Sequence, residues 1–146
     1  MKKISLGIIG CGAMGVQHIK NFSSMDEIGE IMICDTSKRR INLIKRRYKI
    51  KKAFDNPEEI VSNVDAVCIS TPNSLHFKHA LAAIKAGRDV LIEKPMTTNS
   101  AEGKILVDAA INREVILAVG CQKRFKQDYQ HLKQFVRQGR IGKPIL

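Results

Sequence analysis

Runs of apolar residues recur along this chain, each followed by a stretch whose apolar positions repeat at helical spacing. The first run, Ile4–Ile9, leads into a segment where Val16, Ile19 and Phe22 share one face. The second, residues 31–34, precedes Ile41, Ile44 and Tyr48 at i, i+3 and i+7. Ala53 and Phe54 predict a short third strand. Asn56-Pro57-Glu58-Glu59 predicts a helix start, with Asn56 as N-cap, proline in the first turn and acids favoured by the helix dipole. A fourth strand is expected at 65–69 and a helix at 74–86, closed by Gly87. A fifth strand follows at 90–92, then a helix opened by Asn99 or Ser100 and running to about Asn112. The sixth strand is expected at 115–119, and a last helix at 128–138 with Leu132, Phe135 and Val136 as its apolar stripe. Strands that are apolar throughout and alternate with helices predict a parallel sheet covered on both faces. The fold class is α/β, a doubly wound Rossmann domain with strand order 3-2-1-4-5-6.

Ligands of such sheets bind at the carboxyl ends of the strands. Those ends carry Gly10, Asp35, Thr71-Pro72-Asn73, Glu93-Lys94-Pro95 and Gly120-Cys121-Gln122, which should converge on one crevice. The first of them opens Gly10-Cys11-Gly12-Ala13-Met14-Gly15, a G-x-G-x-x-G pattern between strand and helix. Gly10 suits a tight turn, Gly12 lets the backbone approach a pyrophosphate, and Gly15 lets the helix pack close to the strand. The helix N-terminus offers unpaired N–H groups to phosphates. Asp35 ends the second strand about 20 residues later, where a ribose-binding acid belongs.

Asp35 predicts NAD as the cofactor, because its carboxylate would accept from the ribose hydroxyls and repel a 2′-phosphate. Lys38, Arg39 and Arg40 keep NADP as the runner-up: cations are disfavoured in the first turn of a helix, and an anion nearby would relieve them. The peptide Lys94–Pro95 is predicted to be cis, since only X–Pro bonds take that form at low cost and the turn must reverse there.

The chain has 146 residues, 44% of them hydrophobic, which suits one globular domain. No apolar run approaches a membrane span. The apolar part after Met1-Lys2-Lys3 is too short for a signal sequence, so a cytoplasmic protein with no membrane partner is expected. Cys34, Cys68 and Cys121 fall in or beside apolar runs and, with Cys11, form no C-x-x-C, so all four read as free thiols. His76 and His79 are spaced i, i+3, but no carboxylate or cysteine completes a metal set. His18 and His131 read as ordinary helix residues. The net charge is +11, much of it between Lys38 and Lys52. Without interleaved aromatics or a nucleic-acid motif, that cluster reads as a solvated helix face and not as a nucleic-acid surface.

Five segments taken together resemble the successive signatures of the Gfo/Idh/MocA oxidoreductases. They are Gly7-Ile8-Ile9-Gly10-Cys11-Gly12 with Gly15 and His18, Ser70-Thr71-Pro72-Asn73-Ser74-Leu75-His76, Glu93-Lys94-Pro95-Met96, Val119-Gly120-Cys121-Gln122-Lys123-Arg124-Phe125, and Ile141-Gly142-Lys143-Pro144. The Glu-Lys-Pro element, at its proper distance from the glycine motif, is the most specific. The resemblance implies that Gly10, Gly12, Ala13, Met14 and Gly15 hold the pyrophosphate and that Asp35 holds the adenosine ribose. It implies that Thr71, Pro72, Asn73 and His76 lie along the cofactor. Glu93 and Lys94 come next to the nicotinamide, with Lys94 as the catalytic residue, and Gln122 and Arg124 border the same place. A lysine at a strand end can exchange a proton with a substrate hydroxyl.

The resemblance further implies a second, mixed α/β domain that binds a sugar or polyol and often forms a homo-oligomer. Residues 1–124 are then the dinucleotide domain, and 125–146 a helix and the beginning of a strand that enters the second domain. Substrate choice and the acid–base histidine are expected to lie outside these 146 residues, which alone should bind a dinucleotide without turning over. The other reading is a dinucleotide-binding or nucleic-acid-associated protein without turnover of its own.

Overall fold

A computed structural model describes residues 3–143 and 145. Six strands, β1 (Ile4–Ile9), β2 (Ile28–Cys34), β3 (Ala53–Phe54), β4 (Ala66–Ile69), β5 (Asp89–Ile92) and β6 (Leu117–Val119), form one sheet. Its order is β3-β2-β1-β4-β5-β6, with every neighbouring pair parallel. Helices α1 (Ala13–Phe22), α2 (Lys38–Tyr48), α3 (Pro57–Val61), α4 (His76–Lys85), α5 (Ser100–Arg113) and α6 (Gln127–Arg137) connect and follow the strands. The doubly wound architecture and the strand order are those the periodicity predicts.

Alternation along β1 explains why its whole length is apolar. Leu6 and Ile8 enter a core with Ile19 of α1, Ile44 of α2 and Ile33 of β2. Ile9 enters the opposite core, with Ile60 of α3, Ile84 of α4 and Leu106 of α5. Register across the middle runs Ile33, Ile8, Cys68, Leu91, Ala118. Helix starts follow local chemistry. Asn56 accepts from Glu58 N–H at 3.0 Å, and Asn99 accepts from Glu102 N–H at 2.9 Å. Gly87 takes the left-handed conformation (φ +70°) that ends α4.

The differences lie at element ends. β2 begins at Ile28 and not at 31, because Ile28 pairs with Ile4 across a register shift in β1. Its first residues include Gly29 and Glu30, which hide the strand from a hydrophobic pattern. Asp65 falls outside β4, where its carboxylate accepts from the backbone N–H and hydroxyl of Ser5 at 2.8 and 2.7 Å. α4 starts at His76 after a 3-10 turn at Asn73–Leu75. β6 is shorter than expected, though Ile116 still accepts from Val90 N–H at 2.8 Å. No regular strand forms at Ile141 to Lys143. Pro144 and Leu146, also read as part of that strand, lie outside the described residues. α6 contributes no buried residue, and its stripe residues Leu132 and Phe135 are exposed.

All four cysteines are free thiols. Burial, first among the causes, pushes Cys11, Cys34 and Cys68 each up to about 12. Among the described residues no helix is long and apolar enough to cross a membrane.

Ile8 is fully buried at the centre of the sheet, whereas Ile111 is 68% exposed on α5. Ile8→Ala is expected to destabilise the fold by about 2–5 kcal/mol, and Ile111→Ala by less than about 0.5 kcal/mol. Urea unfolding of both variants checks this; equal losses would contradict the assignment of the core.

Candidate functional site: a crevice at the carboxyl ends of the strands

The turn after β1 is built by close backbone approach. Gly10 has φ +94°, and a Cβ there would sit 2.7 Å from the carbonyl of Ser70. Its N–H donates to Cys34 O at 2.8 Å, which ties the turn to the end of β2. The Ser70 hydroxyl donates to Gly10 O at 2.7 Å, which ties it to the end of β4. At Gly15 a Cβ would stand 2.0 Å from Gly10 O, so only glycine lets α1 start this close to the strand. Gly12 differs, because a Cβ there would meet nothing within 4 Å. The space in front of it is open, as the approach of a diphosphate requires. α1 has no side-chain cap and no acid in its first turn, so the N–H groups at its N-terminus keep their capacity for an anion. These residues fit a dinucleotide's diphosphate.

Asp35 is nearly buried. Its Oδ2 accepts from Cys11 N–H at 2.8 Å and its Oδ1 from Ser37 N–H at 2.7 Å. Arg40 Nη1 stands 3.5 Å from Oδ2. The carboxylate is thus bound to the glycine turn and to the start of α2, and Arg40 in the first turn of α2 has Asp35 as its anion. An ionised carboxylate has about four lone-pair sites, so acceptor capacity remains for ribose hydroxyls.

Beyond the glycine turn lies a pocket of about 260 Å³. Met14, Ser70, Thr71, Asn73, His76, Glu93, Lys94 and Gln122 line it. The ends of β1, β4, β5 and β6 therefore do meet. Pro72 is exposed on the same turn as Thr71 and Asn73. The Lys94–Pro95 peptide is cis, as the sequence predicts. Arg124 is not part of this lining; it is exposed on the 3-10 turn at Gln122–Phe125, where its carbonyl accepts from Gln130.

Three side chains sit differently from the sequence reading. His76 is fully buried and contacts Pro95 O through Nδ1 at 2.7 Å and Thr71 O through Nε2 at 2.9 Å. A neutral ring can donate to only one of the two. His76 thus stands between the two turns, within hydrogen-bond distance of a carbonyl on each, and also lines the pocket with Thr71 and Asn73. Lys94, expected in a half-buried crevice, is exposed, because nothing described in this chain covers that side of the turn. His18, read as an ordinary helix residue, is nearly buried and stands 2.9 Å from Glu93 Oε1. The signal for it is present in the chain. His18 lies one turn beyond Gly15 on the face that also buries Ile19, and a polar side chain on a buried face needs a partner. Ser70, which the sequence places only within the Ser70–His76 segment and gives no role, sits where a strand end meets the glycine turn.

The fold and this crevice define a dinucleotide-binding domain of Rossmann type. A family model described as "Oxidoreductase family, NAD-binding Rossmann fold" (GFO_IDH_MocA) matches residues 4–121, and the chain belongs to that family. A myo-inositol 2-dehydrogenase of Thermotoga maritima is 32% identical over 95% of this chain and 42% of its own length. A scyllo-inositol 2-dehydrogenase (NADP(+)) of Bacillus subtilis is 31% identical over 94% of this chain and 38% of its own length. Among solved structures, a scyllo-inositol dehydrogenase of Lactobacillus casei with bound NAD(H) and scyllo-inositol superposes with a TM-score of 0.88 at 25% identity. That match covers 97% of this chain and 43% of the other. The chain therefore spans about two fifths of the length of the relatives it matches.

His79, beside the site, contacts the Thr71 hydroxyl through Nδ1 at 3.3 Å. Burial first, then the neighbouring Lys78 and His76, lowers its pKa below the ordinary 6.5. The folded protein then holds His79 neutral at pH values where the unfolded chain binds a proton. Its contribution to stability is complete above pH 6.5 and declines as the pH falls through that value toward the lowered folded pKa. His79→Gln is expected to flatten the acid side of a plot of Tm against pH below about 6.5; an unchanged slope would contradict the burial argument.

Proposed function

We propose that this chain is the cofactor-binding part of an NAD(P)-dependent oxidoreductase acting on a CH–OH group of a sugar, cyclitol or related polyol. The observation that carries the reading is an open-faced glycine turn bonded on one side to the Asp35 carboxylate and on the other to Ser70, which lines one pocket with Glu93 and Lys94. The relatives' names support the substrate class. The backbone N–H groups at the start of α1 bind the diphosphate, and Asp35 accepts from the ribose hydroxyls. Thr71, Pro72 and Asn73 flank the dinucleotide, and Gln122 and Arg124 border its nicotinamide end. When bound, the nicotinamide supplies hydride exchange. Lys94 Nζ gives or takes the proton of the substrate hydroxyl.

NAD is the preferred cofactor in this reading, because a 2′-phosphate would meet the Asp35 carboxylate. The relatives include enzymes named for each of the two cofactors. Residues 1–124 form the dinucleotide domain, and 125–146 lead toward a second domain, in proteins of the relatives' length, that selects substrate and forms a homo-oligomer. The exposed Leu132 and Phe135 of α6 are the kind of surface such a domain covers. Hydride transfer needs a substrate carbon held about 3–3.5 Å from the nicotinamide, and the exposure of Lys94 leaves that wall unbuilt by these residues.

The 146-residue chain is expected to bind NADH, read by nicotinamide fluorescence, more tightly than NADPH, and to show no turnover with NAD and a panel of polyols. Asp35→Ser is expected to remove the preference for NADH. NADPH binding about tenfold tighter than NADH, a 1.4 kcal/mol difference, would overturn the cofactor assignment. Turnover in the usual range of about 1–10³ s⁻¹ would show the 146 residues to be catalytically complete. No binding of either nucleotide would overturn the whole reading.

A further inference from the structure

Glu93 lies at the junction of three segments. Its Oε1 accepts from His18 Nε2 at 2.9 Å and from Gln122 Nε2 at 2.7 Å. Its Oε2 has a longer contact, 3.3 Å, from the N–H of Lys94. His18 comes from α1, Gln122 from the turn after β6, and Lys94 from the turn after β5. Glu93 is 7% exposed, so its carboxylate depends on these donors to replace lost water. There is little slack around it. A Cβ on Gly120 would stand 3.1 Å from Glu93 Oε1 and 3.2 Å from Gln122 Nε2. The His18 ring is itself held, stacked on Phe22 one turn later with centroids 5.8 Å apart.

The two ends of this contact belong to different elements, His18 to α1 and Glu93 to the end of β5. α1 carries the open N-terminus beside Gly12, where a diphosphate fits. Glu93 immediately precedes Lys94, and both line the pocket that Met14 of α1 also borders. A rigid helix with one end at the diphosphate site and a buried side chain on the Lys94 turn fixes the distance between the two.

We propose that His18 is a positioning residue: acting through Glu93, it holds the Lys94 turn in register with the phosphate-binding end of α1, so that the nicotinamide half of a dinucleotide meets a preset turn. This rests on the dinucleotide reading above. Without His18, Glu93 Oε1 keeps one donor, the carboxylate is freed to rotate, and the Lys94 turn loses its tie to α1. Binding of the adenosine diphosphate half, which uses the α1 N-terminus and Asp35, does not require that tie.

Two ligands separate positioning from mere structural support. ADP-ribose lacks the nicotinamide, and NADH carries it. Affinities of both are measured for the wild-type chain, His18→Leu and His18→Gln, the last keeping an amide donor in reach of Glu93. His18→Leu is expected to weaken NADH about tenfold, to return the bound-NADH emission toward that of free NADH, and to leave ADP-ribose within about twofold. His18→Gln is expected to recover most of the NADH loss. Equal weakening of both ligands, or of neither, overturns the proposal. Should His18→Leu fail to fold, NMR of the wild-type chain decides. The His18 ring resonances, assigned by their loss in His18→Gln, are expected to move on addition of NADH and to stay in place with ADP-ribose. The same response to both ligands overturns the proposal. A wild-type chain that binds ADP-ribose but gives these negative results keeps the dinucleotide reading and loses the role of His18. A chain that binds neither ligand loses both.

Discussion

The structure depends on how closely the turn after β1 can pass the end of β4. Gly10 lies against the Ser70 backbone, and Gly15 lies against the Gly10 carbonyl, at separations that a single added carbon would violate. That contact sets where α1 begins, which way its N–H groups point and how near they come to Asp35. It also determines where α1 passes over the sheet, and hence which of its residues can reach the end of β5. A side chain at either glycine would lift α1 away from β1, opening the core around Ile8 and Ile19 and separating the diphosphate site from the pocket.

Two carboxylates then organise the crevice, one at each side of the crossover between β1 and β4. Both are nearly buried, and each is satisfied by donors from other segments. Asp35 takes two backbone N–H groups and stands near the Arg40 guanidinium; Glu93 takes two side-chain donors and a longer backbone contact. Charge-assisted bonds of this kind are strong and directional. They turn carboxylates that would otherwise destabilise a half-buried site into struts between secondary-structure elements. The His76 ring lies between the carbonyls of Thr71 and Pro95, donating to one of them. The walls of the pocket are therefore cross-braced, while the groups facing outward, Asn73 and Lys94, are left exposed. A rigid back and an open front suit a site that receives a large ligand from one side.

The basic cluster has a local explanation at one position. Cations in the first turn of α2 oppose the helix dipole, yet Arg40 is drawn to Asp35 one turn away. Elsewhere on α2 the charges surround a single buried residue, Ile44, and that arrangement lets a strongly basic segment cover one face of the sheet.

The periodicity of apolar positions and the strand-end residues determined the α/β class, the strand order and the glycine turn with its acid. Each follows from local rules: burial on both faces of a strand, helical spacing, and the backbone freedom of glycine. The cis form of Lys94–Pro95 was legible for the same reason, since few sequences permit it. Tertiary structure alone decided what the polar side chains do. His18 and Glu93 are 75 residues apart, and no local pattern tells one of them about the other. His76 is fully buried between two carbonyls, and Lys94, expected half-buried, is left in the open. Burial is a property of what packs on top, and spacing along one segment carries no information about that.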